Sequence, residues 1–369
     1  MNVTKKKLKV TCIFHKGCMD GWMSALPIWH AYHETAEMKF IPAHYGDEPP
    51  AYDGEDFIFV VDFSYKPEVI EKWETGKAEV FIIDHHTKAI QALVDHPALN
   101  LQPGPEIGKG KVYDSKARYL TAYLAFNDGK PHKCQASGAG LVREFLENYR
   151  GSLSIGELSG TAWEEITSTG KVSQSYDLWH HGGEEKHVNT YLSMFFKEWE
   201  RSNRDKFNTM QTSPEQSHAL MLELVQSWAI ESLDSKLSIG EAATAEHGKQ
   251  CRALCETAYE VKLPVEGYDK VKIGFIPGKN LKVSVSTLGS IAVREYGWDV
   301  MVMIAAVKDN TYILSLRSNE SGTNVDVADI CDQIGKGPFG LTGGGHRNAA
   351  GCTIRRDDLR EVASKVLSL

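Results

Sequence analysis

Asp84-His85-His86 follows directly on the apolar run Val80, Phe81, Ile82 and Ile83, and the same arrangement recurs twice more in the first quarter of the chain. His15 and Asp20 follow the run from Val10 to Phe14, and Asp62 follows the run from Phe57 to Val61. Three apolar segments that each end in imidazole or carboxylate groups constrain the fold strongly. In an open parallel sheet the carboxyl ends of the strands share one edge, so residues at three such ends face one crevice, where ligands bind in such folds. Imidazole and carboxylate together suit Mn²⁺, Mg²⁺, Zn²⁺ or Co²⁺, and a shared carboxylate can bridge two ions. The pattern therefore points to a two-metal hydrolase.

The segments between these runs support a parallel sheet. Strands are predicted at 8–14, 38–42, 57–62 and 78–83, with helices over 21–33 and from Pro67, a βαβ rhythm. Residues 95–135, which carry Pro97, Pro103, Pro105 and Pro131, read as an irregular insertion able to wall the site. Ser137 is placed to cap a helix whose buried face carries Leu141, Val142, Phe145 and Leu146, and a second helix is predicted over 156–167. From about 185 to 260 the pattern is helical and reads as a connector between domains. Beyond Pro264 strands return near 271–276, 300–307 and 311–317, with helices near 287–297 and 325–334. The expectation is an α/β protein with a parallel-sheet amino domain over 1–190, a helical connector over 191–262 and a smaller α/β carboxy domain over 263–369.

A chain of 369 residues exceeds the size at which one hydrophobic core usually stops growing, which agrees with two domains. The formal net charge of −8 argues against a bulk electrostatic grip on long duplex nucleic acid, but leaves short or single-stranded phosphate substrates open. The apolar run after Lys5-Lys6-Lys7 is far shorter than a signal-peptide core, and no apolar stretch has membrane-spanning length, so a cytoplasmic protein without a membrane partner is expected. The seven cysteines are scattered and form no CxxC pair, so most are expected to be small buried residues.

The first motif reads Phe14-His15-Lys16-Gly17-Cys18-Met19-Asp20-Gly21, on a strand-to-helix turn where the helix amino terminus favours anions. Asp62 alone would read as a cap, and its alignment with the other strand ends raises it to a candidate ligand. Asp177 is a candidate ligand on a fourth strand or a loop, and His180 and His181 read as exposed loop histidines. In Leu341-Thr342-Gly343-Gly344-Gly345-His346-Arg347, consecutive glycines expose N–H groups as an anion nest, and His346 and Arg347 add donors. Arg317, at the end of a predicted strand, is placed to reach the same anion. No G-x-x-x-x-G-K-[ST] run is present, which argues against a P-loop nucleotidase.

Taken together, these motifs resemble those of the DHH phosphoesterase superfamily, in the branch with a DHH-associated carboxy-terminal domain. The resemblance implies a two-metal phosphodiesterase, usually Mn²⁺-dependent, with its site in the cleft between the domains. It implies one ion on His15 and Asp62, a second on Asp20, Asp62, His85 and Asp177, and Asp62 as the bridge. It also implies that Asp84 orients the histidines and that His86 meets the phosphate or protonates the leaving oxygen, both as catalytic residues. The family's first motif has Asp-x-Asp where this chain has Cys18-Met19-Asp20, so Cys18 occupies a ligand position and either binds a softer ion or packs inertly. The leading expectation is an exonuclease or nanoRNase acting on short single-stranded RNA or DNA. Hydrolysis of a cyclic dinucleotide or a bisphosphonucleoside is the nearest alternative, and a nucleotide sensor without turnover is the alternative from another class.

Overall fold

The structure is a computed structural model that describes residues 7–52, 54–116, 119–125, 136–153, 155, 158–178, 185–265, 268–277, 283–306, 311–319, 325–336 and 340–355. The chain divides into two compact units, Met1–Ala243 and Thr244–Leu369.

The first unit opens with β1 (Leu8–His15), α1 (Met19–Tyr32), β2 (Ala36–Ala43), β3 (Phe57–Val61), α2 (Pro67–Lys72), β4 (Glu79–Asp84) and α3 (Thr87–Asp95). It continues with β5 (Gln102–Ile107), β6 (Gly110–Ser115) and β7 (Leu120–Ala125). Next come the helices α4 (Gly138–Tyr149), α5 (Thr161–Asp177), α6 (Glu185–Ser202), α7 (Arg204–Thr212) and α8 (Ser217–Ala229), and α9 (Leu233–Glu256) runs on into the second unit. The sheet order is β2-β1-β3-β4-β7-β6-β5, parallel from β2 through β7 and antiparallel across β6 and β5.

Side chains alternate between the two faces of a strand, and helices cover both faces of this sheet, so its central strands are apolar throughout. In β3, Phe57, Phe59 and Val61 enter one core with Trp22 of α1 and Phe145 of α4. Ile58 and Val60 enter the other, with Ile70 of α2 and Leu93 of α3.

Two expectations change here. The segment 95–135 is not irregular where it is described, because β5, β6 and β7 extend the sheet as a meander. Pro103 and Pro105 lie on β5, the edge strand, where a missing N–H costs least. The helical segment 191–262 does not stand apart as a connector: Phe195 and Trp199 of α6, Phe207 of α7 and Trp228 of α8 belong to the first core.

The second unit contains β8 (Tyr259–Val265), β9 (Tyr268–Pro277), α10 (Val285–Arg294), β10 (Val300–Ala306), β11 (Thr311–Ser318), α11 (Val327–Lys336), β12 (Gly340–His346) and β13 (Ala349–Arg355). Its sheet runs β12-β13-β11-β10-β9-β8, with the β9–β10 pair parallel. The glycine run expected as a phosphate loop is instead strand β12, paired with β13. Val302, Leu316, Cys331 and Ile354 form one core there, while Leu288, Trp298 and Met301 form a second. Cys12, Cys251, Cys255, Cys331 and Cys352 are buried free thiols, Cys18 is partly buried, and Cys134 lies outside the described residues. Among the described residues no helix is long and apolar enough to cross a membrane.

The turn from β1 into α1 depends on Gly21, because a Cβ there would overlap the His15 carbonyl. Gly21→Ala should lower the stability of the first unit by about 1–3 kcal/mol, the usual cost of overpacking. Urea unfolding of the full chain measures this, and an unchanged midpoint would mean that α1 does not pack as closely on β1 as the structure shows.

Candidate metal and phosphate site

The parallel register sets the site. Phe14 pairs with Val61, and Val61 with Ile83, so the next residues, His15, Asp62 and Asp84, form one row at the carboxyl edge of the sheet. Asp62 takes φ 60°, a left-handed conformation uncommon outside glycine, and its N–H donates to Ile83 O at 3.0 Å. The chain thus leaves the strand sharply while the carboxylate stays among its neighbours, only 1% exposed. Helix α4 presses on the same point: a Cβ at Gly138 would lie 2.7 Å from Asp62 Cβ.

Around Asp62 the ligand-type groups converge. His15 Nδ1 lies 3.5 Å from Asp62 Oδ2, and His85 Nε2 lies 3.2 Å from Asp62 Oδ1 and 3.3 Å from Asp177 Oδ2. Three groupings could each hold a cation, with their ligand atoms within 4.8 Å of one another: His15, Cys18 and Asp62; Asp62, His85 and His86; Asp20, His85 and Asp177. Asp62 belongs to two of them. Asp177 reaches the cluster from the last residue of helix α5, not from a strand or loop, and that helix spans Thr161–Asp177 where sequence periodicity placed one over 156–167. His180 and His181 lie outside the described residues.

Asp84 does different work. Its Oδ1 accepts from His85 N at 2.8 Å, His86 N at 3.2 Å and His86 Nδ1 at 2.7 Å, and its Oδ2 accepts from Ser64 Oγ at 3.1 Å. It therefore sets the turn that presents both imidazoles. Asp20 is fixed from the far side: Ser137 Oγ donates to Oδ1 at 2.7 Å, Ser173 Oγ to Oδ1 at 3.2 Å and Ala139 N to Oδ2 at 3.3 Å. The amino terminus of α4 so contributes its positive end to that carboxylate.

Protonation follows from crowding. Burial opposes ionisation of Asp62, but His15 and His85 outweigh it and hold the carboxyl below the ordinary carboxylate range. Asp20 is pushed up by burial and then by the charges of Asp62 and Asp177. Asp177 is raised by burial, against which His85 acts, while Asp62 adds to the rise. Burial, together with these acids, also raises the Cys18 thiol. Three carboxylates and a thiol gathered in one place disfavour one another's ionisation, which a divalent cation would relieve. Both Asp62 oxygens and His15 Nδ1 are buried and make no hydrogen bond of acceptable geometry. The residues fit a metal centre.

In the second unit, Arg317 pairs with Ala349, which pairs with His346, so the three occupy one row across β11, β13 and β12. Arg317 Nη1 donates to Leu316 O at 2.8 Å, while its Nε is buried without a hydrogen-bond partner among the described residues. Gly343, Gly344 and Gly345 lie within β12, and Arg347 is exposed on the turn to β13. The Arg347 carbonyl accepts from Val327 N at 2.9 Å, tying that turn to the start of α11.

Sequence reasoning did not find Ser173 or Gly138 as parts of the site, and it read Ser137 only as a helix cap. Ser137 is that cap, with Gly140 N donating to its Oγ at 3.5 Å, and its hydroxyl also serves Asp20. No local pattern announces a hydroxyl that spans 117 residues of sequence to reach a carboxylate.

Residues 272–369 match the family model described as the DHHA1 domain. No curated protein matches the sequence. Among solved structures, the chain is similar to the DHH domain of a member of a family of ribosomal proteins, with a TM-score of 0.51 and 14% identity over 98% of this chain and 87% of that one. It is also similar to RecJ from Thermus thermophilus in complex with Mn²⁺, with a TM-score of 0.51 and 13% identity over 97% of this chain and 51% of RecJ. A pGpG-specific phosphodiesterase, PggH from Vibrio cholerae, aligns with a TM-score of 0.42 and 12% identity over 98% of each chain. At these identities the likeness is one of fold.

The His86–Asp84 pair gives a pH-dependent expectation. Burial alone would lower the His86 value, but the charge and hydrogen bond of Asp84 push it up to about 9 from 6.5. A folded-state value above the unfolded one means that the pair's stabilisation is complete below pH 6.5 and fades as pH rises through about 9. In chelator-treated protein, His86 should titrate near 9 by NMR, and well below that in Asp84→Asn, where only Asp62 still opposes the effect of burial. Equal midpoints in the two proteins would show that Asp84 does not govern the imidazole.

Proposed function

We propose that the chain is a metal-dependent phosphodiesterase of the DHH type that hydrolyses short single-stranded oligonucleotides, a reading supported by the DHHA1-domain match over residues 272–369 and by the likeness of fold to RecJ. The observation that carries this reading is the Asp62-centred cluster, in which one buried carboxylate is shared by two potential cation sites.

By this reading His15 and Asp62 hold one ion, with Cys18 beside it, and the grouping of Asp20, His85 and Asp177 holds the other together with Asp62, whose Oδ1 lies 3.2 Å from His85 Nε2. Ions bound there would supply Lewis-acid stabilisation of phosphoryl charge and a nucleophile at neutral pH. Mn²⁺, with which the RecJ structure was determined, suits mixed imidazole and carboxylate donors, and a Cys18 thiolate would favour a softer ion still. His86 is the general acid. Its Nδ1 is committed to Asp84 at 2.7 Å, so Nε2 remains to donate a proton to the leaving oxygen or to a phosphate oxygen. Asp84 positions it.

In the carboxy-terminal unit, Arg317, the Gly343–Gly345 backbone, His346 and Arg347 are assigned to substrate phosphate. The unused Arg317 Nε supports this role. The net charge of −8 favours short strands, because few backbone phosphates are engaged at once. Cyclic dinucleotides and bisphosphonucleosides present the same phosphate chemistry. The raised Cys18 thiol favours a second reading, a nucleotide sensor, if it leaves the first ion weakly held.

A turnover panel with Mn²⁺ tests the reading, using 5′-labelled dinucleotides, longer RNA and DNA strands, cyclic dinucleotides, bisphosphonucleosides and pyrophosphate. Linear strands should yield mononucleotides, Asp62→Ala should lower kcat by about 10³-fold or more, and Arg317→Ala should raise KM without loss of bound metal. Exclusive turnover of a cyclic or bisphosphate substrate would replace the oligonucleotide assignment. Absence of turnover with every divalent ion would leave the sensor.

A further inference from the structure

β2 ends at Ala43, level with His15 in the parallel register, and the chain turns through His44-Tyr45-Gly46-Asp47. The turn is braced. His44 N donates to Asp47 Oδ2 at 2.8 Å, Asp47 N donates to His44 O at 3.1 Å, and Gln211 Nε2 of α7 donates to Asp47 Oδ2 at 3.0 Å. The Tyr45 ring is thereby set edge-on to His15 at 5.4 Å, His86 at 5.8 Å and Phe63 at 6.0 Å between centroids.

Phe63 is fully buried, whereas Tyr45 is 52% exposed. Exposure of one aromatic residue alone means little. Here the exposed ring is fixed by a braced turn against two imidazoles of the candidate phosphate site. A rigid aromatic surface beside a phosphate site is the element that binds single-stranded nucleotides without reading their sequence, because every base offers a π-face.

We propose that Tyr45 is a substrate-binding residue whose exposed face stacks on the nucleobase adjoining the phosphate held by the His15, Asp62 and His86 cluster. This inference rests on the phosphodiesterase reading and specifies its substrate class: purine and pyrimidine nucleotides in preference to phosphodiesters that lack a base.

The test compares a diribonucleotide with the same molecule made abasic, on wild type, Tyr45→Ala and Tyr45→Phe, with Mn²⁺. Tyr45→Ala should raise KM for the diribonucleotide about tenfold, with a smaller change in kcat. Tyr45→Phe, which keeps the ring, should restore binding, and the abasic KM should be the same in all three proteins. An unchanged diribonucleotide KM in Tyr45→Ala, or an equal rise for the abasic compound, overturns the inference. An unchanged melting temperature verifies that the variants fold.

Failure of the phosphodiesterase reading looks different, because wild type then turns over neither compound. In that event, equilibrium binding of the fluorescently labelled diribonucleotide decides. A tenfold loss confined to Tyr45→Ala supports the stacking wall, and equal affinity in wild type and Tyr45→Ala, or no binding by wild type, overturns it.

Discussion

The structure turns on one buried carboxylate, Asp62, which leaves an apolar strand in a left-handed conformation and stays among imidazoles. Such a backbone costs on the order of 1–3 kcal/mol and persists only where its surroundings over-determine it. Here they do. The N–H of Asp62 is held by Ile83 O, Gly138 leaves no room for the side chain to retreat, and His15 and His85 flank its two oxygens. A carboxylate held this way has its charge fixed before any cation arrives.

Much of the remaining architecture serves that point. The parallel strands bring three strand ends level, and the two apolar faces fix their register, since a slip of one residue would turn the phenylalanines of β3 to the wrong core. Asp84 spends one oxygen on orienting the Asp-His-His turn and the other on the Ser64 hydroxyl. Asp20 is steadied by hydroxyls of Ser137 and Ser173 and by the amino end of α4. What remains is an excess of acid in a small buried space, expressed in the upward displacement of Asp20, Asp177 and Cys18.

The sequence made the strand-end groups legible because a polar residue directly after an apolar run marks the edge of a sheet, and β1, β3 and β4 obey that rule. Other features obey no local rule. Asp177 ends a helix whose weakly amphipathic sequence, Thr161 to Asp177, gave little periodicity to read. The triple glycine looked like a loop because glycine lacks strand propensity, and β12 forms because β13 supplies a partner along its length. Prolines hid the β5 edge strand. The apolar residues of α6 to α8 announced burial without saying which core would take them, so a layer on the first sheet was read as a connector. Gly138 and Ser173 act across long stretches of chain, where only tertiary structure shows the contact.

The central claim, that Asp62 is shared between two cation sites, is tested most directly by calorimetric titration of Mn²⁺ into chelator-treated protein. The account predicts two ions per chain for wild type, and for Asp62→Ala the loss of both or retention of one bound weakly. Two ions bound with unchanged affinity after removal of that carboxylate would contradict it.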